Sequence, residues 1–183
     1  MRIIGGSHAG LRLQPPHTLP VRPTTDMAKE ALFNVLQHRF DFEGIQVLDL
    51  CAGTGNMTLE MASRGAAKVT AVDLHFKCIQ YINETAKKLS MEVVKGVRAD
   101  VLKYIASCKE TFDFIFVDPP YEMPELADIP RRIFDRGLLK PDGWLVLEHA
   151  TMRKIPVHPM LVDTRKYGYS SFSIYQHAAH GSE

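Results

Sequence analysis

The sequence predicts an α/β fold built on one mostly parallel sheet, with an antiparallel hairpin at its C-terminal end and a small β-hairpin extension at its N-terminus. Along most of the chain, short apolar runs alternate with helical segments, which is typical of a parallel sheet covered by helices on both faces. The last two strand-like runs, 160–167 and 171–177, leave no room for a helix between them and therefore predict an antiparallel hairpin. At the N-terminus, apolar runs at 3–4 and 11–13 flank Gly5-Gly6, a pattern that indicates a short hairpin.

The individual elements follow from local patterns. A first helix is predicted to begin at Thr24 or Thr25, whose hydroxyls can accept a first-turn N–H, and to end near Phe40. The parallel strands are predicted over 46–50, 68–72, 92–97, 112–117 and 144–147. The helices between them are predicted over 56–64, 75–89, 101–107 and 126–137. We divide the chain into an N-terminal extension with its connector, residues 1–22, and a main domain, residues 23–183.

Length and composition bound the class of protein. At 183 residues with 45% hydrophobic content, the chain suits one domain with a full core. The formal net charge is only +1, but the first 40 residues carry five basic against two acidic side chains. Ordinary surface charge and a patch that faces a polyanion explain this excess equally well.

Neither metal nor membrane chemistry is indicated. The three cysteines, Cys51, Cys78 and Cys108, are widely spaced and form no CxxC pair, so neither a disulfide framework nor a zinc site is expected. The eight histidines show no ligand spacing, and we predict no bound metal. No apolar run approaches membrane-spanning length, and the first residues lack the apolar core of a signal peptide. We therefore expect a soluble protein of the reducing cytoplasm.

A glycine-containing loop from Asp49 to Asn56 follows the first predicted strand and leads into a helix. Its glycines let the backbone approach a ligand closely, and the helix N-terminus adds N–H donors. The dinucleotide fingerprint needs a third small residue where Thr58 stands, which fits poorly. Asp49 would repel a pyrophosphate but suits a cofactor that carries an ammonium and a sulfonium group. The loop therefore favours a cationic cofactor over a dinucleotide.

Acidic side chains also follow the next two strands. Asp73 ends the second strand, where a carboxylate can hold both hydroxyls of a ribose. Asp100 follows the third strand and can accept from an adenine amino group, although each aspartate alone also suits a helix N-cap. S-adenosylmethionine satisfies these features without a metal, and we predict it as the cofactor. The predicted cofactor-binding residues are Asp49, Ala52, Gly53, Gly55, Asp73, Leu74 and Asp100.

A second candidate loop, Asp118-Pro119-Pro120-Tyr121, follows the fourth strand, at the edge of the sheet where α/β proteins bind ligands. Prolines lack a backbone N–H, so carbonyls here can point outward as acceptors. The Asp118 carboxylate and the Pro119 carbonyl can accept the two protons of a planar amine, and Tyr121 can stack on its ring. Asp118 can also take up the released proton. We predict these four residues as the catalytic set; a proline turn that caps the strand is the structural alternative.

Several motifs resemble one bacterial family. They are Arg2-Ile3-Ile4-Gly5-Gly6, Arg22-Pro23-Thr24-Thr25-Asp26 with Glu30-Ala31-Leu32-Phe33-Asn34 behind it, Asp49 to Gly55, and Val117-Asp118-Pro119-Pro120-Tyr121. In these motifs the chain resembles the RsmD family, S-adenosylmethionine-dependent methyltransferases that modify the N2 amino group of a guanine in 16S ribosomal RNA. The resemblance runs from Arg2 to Gln176.

The resemblance implies a Rossmann-like class I methyltransferase sheet of seven strands whose last strand is antiparallel. It implies an N-terminal β-hairpin that helps to hold RNA, and for this contact we select Arg2, Arg12, Arg22 and Thr25. It also implies 16S ribosomal RNA within an assembling small subunit as the partner. We expect a monomer that acts in the cytoplasm.

Three alternatives stay open. Adenine N6 methylation of DNA or RNA is the nearest, because the loop that begins with Asp118-Pro119-Pro120-Tyr121, here named the acceptor loop, suits any planar amine. A nucleotide-cofactor oxidoreductase is the second, and Thr58 is evidence against it. A non-catalytic RNA-binding module is the third.

Aromatic residues are frequent in the predicted C-terminal hairpin. Tyr167, Tyr169, Phe172 and Tyr175 are expected to pack within it. For Tyr169, at the turn, contact with RNA is the alternative.

Overall fold

The computed structural model describes residues 1–21 and 24–178 and is built around a seven-stranded sheet. The strands are β1 Gln46–Leu50, β2 Lys68–Asp73, β3 Val94–Arg98, β4 Phe112–Val117, β5 Leu139–Ala150, β6 Leu161–Tyr167 and β7 Ser170–Gln176. Their spatial order is β3-β2-β1-β4-β5-β7-β6. The first five strands pair in parallel, and β7 pairs antiparallel with both β5 and β6. This confirms the predicted mixed sheet and the C-terminal hairpin.

In the described part of the chain, five α-helices connect the parallel strands or precede them: α1 Asp26–Leu36, α2 Asn56–Ser63, α3 Phe76–Lys88, α4 Val101–Ser107 and α5 Ile129–Asp135. The side chain of Thr25 accepts from Ala28 N at 3.2 Å and so caps α1. The segment predicted as one helix over 126–137 divides into a 3₁₀ turn, Leu126–Asp128, and α5.

The strand order reverses beside β1, since the chain first builds outward to β3 and then returns to place β4 on the other side of β1. In open α/β sheets the crevice at such a switch point is where ligands bind. The register aligns Leu50 with both Val72 and Val117, and Val117 with Leu147. The carboxyl ends of β1, β2 and β4 therefore lie about level at one edge, and β5 continues past that level to Ala150.

Apolar side chains cover both faces of the sheet. Leu48, Ile115 and Leu145 belong to the cluster on one face, and Val47 and Phe114 belong to the cluster on the other. All five are no more than 1% exposed. Because the inner strands are buried on both faces, they appear in the sequence as continuous apolar runs, which is why their positions are predictable.

Strand β5 is longer than the pattern indicates. The prediction begins it at Trp144, after the turn Pro141-Asp142-Gly143, whereas the structure begins it at Leu139. Leu139 pairs with Phe112, and the register then shifts before Trp144 pairs with Phe114. Asp142 adopts a positive φ of 64° within this shift. The predicted turn therefore exists as an irregularity inside the strand.

The N-terminal extension forms a minimal hairpin that packs on the main sheet's helices. Ile3 N donates to Leu11 O at 2.9 Å and Leu13 N to Met1 O at 2.8 Å, around one antiparallel bridge between Arg2 and Arg12. Ile3 is 1% exposed and shares an apolar cluster with residues of α2 and α3, among them Leu59 and Ala86. The extension is therefore an integral part of the packed structure.

The C-terminal hairpin departs from expectation at one residue. Phe172 and Tyr175 are fully buried, as predicted, whereas Tyr169 is 92% exposed and packs against nothing that would cover its ring. Tyr169 lies in the two-residue connection between β6 and β7, beyond the last pair of the ladder, Tyr167 with Ser170. Its predicted packing within the hairpin is therefore wrong.

Within the described residues, no helix is long and apolar enough to cross a membrane.

Candidate active site

A cavity of about 510 Å³ opens at the carboxyl edge of the sheet. It is bounded by the glycine loop after β1, by the segments after β2 and β3, and by the loop after β4. Pro20, Val21 and Thr24 form another wall. Six of the seven predicted cofactor residues line it, namely Asp49, Ala52, Gly53, Asp73, Leu74 and Asp100, as do all four predicted catalytic residues, Asp118, Pro119, Pro120 and Tyr121. The two predicted sets therefore share one cavity.

Asp49 is the most deeply buried carboxylate of the cavity, at 2% exposure. Its Oδ2 accepts from Thr58 Oγ1 at 2.6 Å. Burial raises the pKa of Asp49 to about 7, the Thr58 hydrogen bond opposes the rise, and the charge of Asp73 adds to it. A cation in the cavity would therefore stabilise the ionised form of Asp49. Thr58, which fits the dinucleotide pattern poorly, has a clear role here as the partner of this carboxylate.

The glycine loop turns sharply between β1 and α2. Gly53 and Gly55 adopt positive φ values of 57° and 78°, a region that side chains disfavour. A Cβ on Gly55 would lie 2.8 Å from Ile82 Cγ1, so this glycine allows α2 to pack against α3. Gly55 is not among the residues that line the cavity, and we assign it to packing instead of to cofactor contact. Gly53 lies at the surface of the cavity.

Asp73 shapes the loop as well as the cavity. Its Oδ2 accepts from Gly53 N and its Oδ1 from His75 N, each at 2.9 Å. Each carboxylate oxygen can accept more than one hydrogen bond, so these two bonds orient Asp73 and still leave room for ribose hydroxyls. The neighbouring Leu74 is 55% exposed at the rim, where it offers an apolar surface to a flat ring.

Asp100 is a helix cap, which was the structural alternative for this residue. Its Oδ1 accepts from Leu102 N at 3.0 Å and from Lys103 N at 3.1 Å, at the start of α4. Both of these bonds end on the same oxygen, and Asp100 lines the cavity. Capping and ligand contact are therefore compatible at this residue.

The electrostatics of the cavity fit a positively charged ligand. The Cys51 thiol, at the start of the glycine loop, has its pKa raised first by burial and then by the negative charges of Asp73, Asp118, Asp49 and Asp100. The negative charges of all four carboxylates therefore act on one atom, the sulfur of Cys51. Such a concentration of negative charge in a partly dry cavity is costly unless a cation neutralises it. The residues present fit the ammonium and sulfonium groups of S-adenosylmethionine.

The loop after β4 presents an acceptor pair to this cavity. Asp118 N donates to Leu50 O at 3.2 Å, which ties the start of the loop to β1. The Pro120 carbonyl accepts from Met123 N at 3.0 Å and is therefore engaged in a turn. In the described part of the chain, no such hydrogen bond reaches the carbonyl of Pro119. Of the two proline carbonyls, that of Pro119 is the one available to a ligand.

The Tyr121 hydroxyl has polar partners in two strands, β7 and β5. It lies 2.6 Å from Ser170 Oγ at the start of β7 and 3.5 Å from Glu148 Oε2 in β5. The other oxygen of Glu148 accepts from Thr24 Oγ1 at 2.8 Å. Glu148 is only 2% exposed. The ring of Tyr121 is thus fixed in orientation, as a stacking surface has to be.

Arg153 fixes the remainder of the acceptor loop. Its guanidinium donates to the carbonyl oxygens of Tyr121 at 3.2 Å, Met123 at 3.1 Å and Pro124 at 3.0 Å. No local sequence pattern predicts this contact, because Arg153 lies about thirty positions further along the chain. The three bonds make the loop a single rigid unit.

Part of the basic excess of the N-terminal segment is buried or paired. Lys29 is fully buried and pairs with Glu60 at 2.9 Å, while Arg2 pairs with Glu30 at 3.3 Å. Both interpretations of the excess, as ordinary surface charge and as a patch that faces a polyanion, are therefore wrong for Lys29. Arg12 is exposed beside Arg2 across the single bridge.

The other two residues selected for RNA contact differ in status. Thr25 is exposed, but its hydroxyl caps α1, which accounts for a threonine at this position. Arg22 lies outside the described residues. The predicted RNA contacts therefore rest on Arg12 and, more weakly, on Arg2 and Thr25.

Comparison with known proteins identifies the family to which this chain is similar. Residues 1–176 match the family described as "Conserved hypothetical protein 95". The Bacillus subtilis (strain 168) protein named "Putative rRNA methyltransferase YlbH" is 36% identical, over 96% of this chain and 98% of that protein. The Escherichia coli (strain K12) protein named "Ribosomal RNA small subunit methyltransferase D" is 29% identical, over 99% of this chain and 92% of its own.

Solved structures agree with the fold. The one titled "Putative methyltransferase yhhF from Escherichia coli" has a TM-score of 0.84 and 28% identity, covering 98% of this chain and 99% of that one. A Thermus thermophilus 16S rRNA N2 methyltransferase, RsmC, solved with AdoMet and guanosine, has a TM-score of 0.66 and 22% identity, covering 87% of this chain and 45% of that one. The last likeness concerns the fold alone. With its sheet, its acidic cavity and a family match over nearly its whole length, the chain belongs to the conserved hypothetical protein 95 family, the RsmD family of S-adenosylmethionine-dependent methyltransferases.

Proposed function

We propose that this chain methylates the N2 amino group of a guanine in 16S ribosomal RNA, within an assembling small ribosomal subunit. It acts as a monomer in the cytoplasm. Residues 1–22 contribute to the hold on RNA, and residues 23–183 carry the methyl transfer. The relatives named for ribosomal RNA methylation align with nearly the whole chain, which supports RNA as the substrate class.

One observation carries the proposal: the cation-binding carboxylates and the amine-accepting loop line the same cavity. Asp49 lies near the end of β1 and Asp118 directly follows β4, and these adjacent, hydrogen-bonded strands end level at Leu50 and Val117. A donor held by the β1 side and an amine held by the β4 side therefore meet without a large movement. Such proximity replaces a bimolecular encounter with an oriented one.

The residues of the acceptor loop address the main chemical difficulty of the reaction. S-adenosylmethionine supplies an electrophilic methyl group when it is bound. An exocyclic amine is a weak nucleophile because its lone pair is delocalised into the ring. The Asp118 carboxylate and the Pro119 carbonyl accept its two protons, and they stabilise the positive charge that develops on nitrogen as the N–C bond forms and the S–C bond breaks. Asp118, directly or through water, then takes the surplus proton.

Guanine as the target base is the finer part of the proposal. Its support is the family match alone, since the loop Asp118-Pro119-Pro120-Tyr121 itself suits any planar amine. RsmC, which shares the fold, is an N2 methyltransferase of 16S rRNA solved with guanosine. Adenine N6 methylation is the competing outcome that an experiment has to separate.

The direct test is a methylation assay with labelled S-adenosylmethionine and three substrates: free 16S ribosomal RNA, that RNA with bound ribosomal proteins, and whole small subunits. We expect methyl transfer, strongest on the protein-bound RNA or the subunit, and N2-methylguanosine as the labelled nucleoside. Asp118→Ala serves as the control without the acceptor carboxylate. Labelled N6-methyladenosine would contradict the choice of base, and absence of transfer to any of the three would contradict the choice of RNA.

A further inference from the structure

We propose that the β6–β7 turn, with Tyr169 at its tip, is a second RNA-contact surface that holds the single strand next to the target base. This inference rests on the proposed function and assigns part of its substrate recognition to a segment far from the N-terminal extension.

The turn lies at the same edge of the sheet as the acceptor loop. Ala150, the last residue of β5, pairs with Ser170, the first residue of β7. Thr151 N then donates to Tyr169 O at 2.8 Å, and Thr151 Oγ1 donates to Gly168 O at 2.9 Å. Since Ser170 contacts Tyr121, which lines the cavity, the turn stands beside the mouth of the cavity.

The turn is also joined to the acceptor loop. The 2.6 Å contact between the Tyr121 hydroxyl and Ser170 Oγ links one of the residues proposed to hold the target base to the residue that follows Tyr169. Arg153, near the start of the β5–β6 connection, holds the other side of the same loop through three carbonyl oxygens. The turn therefore has a defined position relative to the base in the cavity.

The turn and the neighbouring segment carry exposed apolar side chains that do not contribute to the packed core. Tyr169 and Met152 are each 92% exposed, and both flank Thr151, whose bonds to the turn were described above. An exposed apolar side chain alone is common on protein surfaces. Here the two lie on segments that the hydrogen bond from Thr151 N to Tyr169 O joins, and one of them is an aromatic ring on a turn fixed by that bond. A ring of this kind can stack on a base.

The charge around the turn complements a nucleic acid backbone. Lys154 and Lys166 are exposed, and neither forms an ion pair with a described acidic side chain. Arg165, by contrast, is held by Asp163 at 2.8 Å. Lys166 pairs with Ser171 in the ladder that ends at the turn, and Lys154 follows Arg153 in the β5–β6 connection. Exposed lysines on the segments that carry an exposed ring match the combination of phosphate contact and base stacking by which proteins hold single-stranded RNA. This combination favours an RNA strand over an apolar protein partner.

The test measures RNA binding and methylation separately for Tyr169→Ala and Tyr169→Phe. Loss of one stacking ring is expected to raise the Kd and KM for the RNA substrate about tenfold, whereas the phenylalanine variant stays near wild type because it keeps the ring. Lys166→Gln is expected to lower the salt dependence of RNA binding by about one unit of slope. Affinity for S-adenosylmethionine should not change in any of the three.

Val162→Ala is the matched control. Val162 is 48% exposed on β6, but at the opposite end of that strand, next to Leu161, which pairs with Tyr175. We expect it to behave as wild type. If the wild-type protein methylates RNA and Tyr169→Ala binds and methylates equally well, the second surface is wrong and the proposed function stands. If the wild-type protein neither binds nor methylates ribosomal RNA, both proposals are wrong.

Discussion

Lys29 and Glu60 form a 2.9 Å ion pair between two side chains that have no solvent exposure. The pair attaches the N-terminal extension to the main domain, because Lys29 Nζ also donates to Arg2 O at 2.9 Å, and Glu60 accepts from Ile4 N at 2.8 Å and Gly5 N at 2.9 Å. Lys29 further donates to Asn56 Oδ1 at 2.7 Å, at the end of the glycine loop. One buried charge pair thus connects the extension with the wall of the cavity.

Removing one charge from this pair should strongly destabilise the protein. Burial lowers the pKa of Lys29, against the raising effect of Glu60. Burial would raise the pKa of Glu60, but the Lys29 charge and the hydrogen bonds to Glu60 lower it on balance. Lys29→Met leaves Glu60 with Arg64, at 2.8 Å, as its charge partner and leaves Arg2 O and Asn56 Oδ1 without the Lys29 donor. We expect it to reduce the free energy of unfolding by about 3 kcal/mol, as seen for other broken buried pairs. Urea unfolding at neutral pH measures this.

The control for this prediction is an exposed pair. Lys68 and Glu110 lie 2.8 Å apart with side chains 38% and 50% exposed. Lys68→Met is expected to cost less than about 1 kcal/mol, because solvent screens such pairs. If Lys29→Met and Lys68→Met lose the same free energy of unfolding, burial does not make the Lys29 pair more important for stability, and the prediction is wrong.

The raised pKa of Asp49 predicts a pH dependence of cofactor binding. Burial raises this pKa to about 7, and a bound cation favours the ionised carboxylate. Affinity for S-adenosylmethionine should therefore rise as the pH increases from about 6 to about 7.5, through that pKa. S-adenosylhomocysteine, which lacks the sulfonium charge, should show a weaker dependence. Calorimetric titration of both ligands measures the difference, and a flat profile for S-adenosylmethionine would contradict it.

The same pKa predicts how stability changes with pH in the ligand-free protein. The folded-state value lies above the ordinary value of 3.8, so the folded state binds the proton more tightly than the unfolded chain. The resulting stabilisation is fully present below that ordinary value and is lost as the pH rises to about 7. Asp49→Asn cannot titrate at this position, so its stability relative to the wild-type protein should increase as the pH rises through this window. If the difference in unfolding free energy between Asp49→Asn and the wild-type protein stays constant across this pH window, the raised pKa of Asp49 is contradicted.

Arg153 is expected to act on the reaction through the acceptor loop. Without its three hydrogen bonds to loop carbonyls, the Asp118 and Pro119 acceptors lose their fixed geometry, and errors of about 1 Å can cost about a hundredfold in rate. We expect Arg153→Ala to lower kcat by at least about tenfold while cofactor affinity is kept. Arg165→Ala, which removes an arginine that binds Asp163 at the surface, should leave kcat unchanged. Steady-state kinetics of both variants decides this, and equal kcat values would exclude a positioning role for Arg153.

The division of the cavity into two sides predicts separate effects on binding and reaction. Asp118 lies on the acceptor loop, whereas Asp49 and Asp73 lie on the glycine loop side. Asp118→Ala should therefore abolish methylation and change the Kd for S-adenosylmethionine only slightly. Asp73→Ala should weaken cofactor binding, because Asp73 also holds Gly53 N. The two-sided arrangement is wrong if both variants lose cofactor binding to the same extent.

Most of the fold and of the cavity could be predicted because their signals are local. The strand from Phe112 to Val117 is a continuous apolar run, and the aspartates that follow such strands must meet at one edge of a parallel sheet. The extension of β5 back to Leu139 escaped prediction, since Pro141-Asp142-Gly143 is a turn signal in any context and only pairing with Phe112 makes it part of a strand.

The unpredicted features depend on partners that are distant in the sequence. Lys29 has the sequence context of a surface residue, and only Glu60 in another helix makes its burial possible. Gly55 fits a ligand loop equally well, and its packing role is evident only from the nearby Ile82. Arg153 is held in position by carbonyl oxygens of the loop after β4. Tyr169 is held by a hydrogen bond from Thr151, the residue after β5. Long-range contacts of this kind leave no periodic trace.

The measurement that tests the central claim most directly is nucleoside mass spectrometry of 16S ribosomal RNA from cells that lack this gene, complemented with the wild-type chain or with Asp118→Ala. The account predicts that the level of N2-methylguanosine falls in the deletion strain, returns with the wild-type chain and does not return with the variant. Loss of N6-methyladenosine with unchanged N2-methylguanosine would contradict the guanine assignment, and an unchanged set of methylated nucleosides would contradict the proposed substrate.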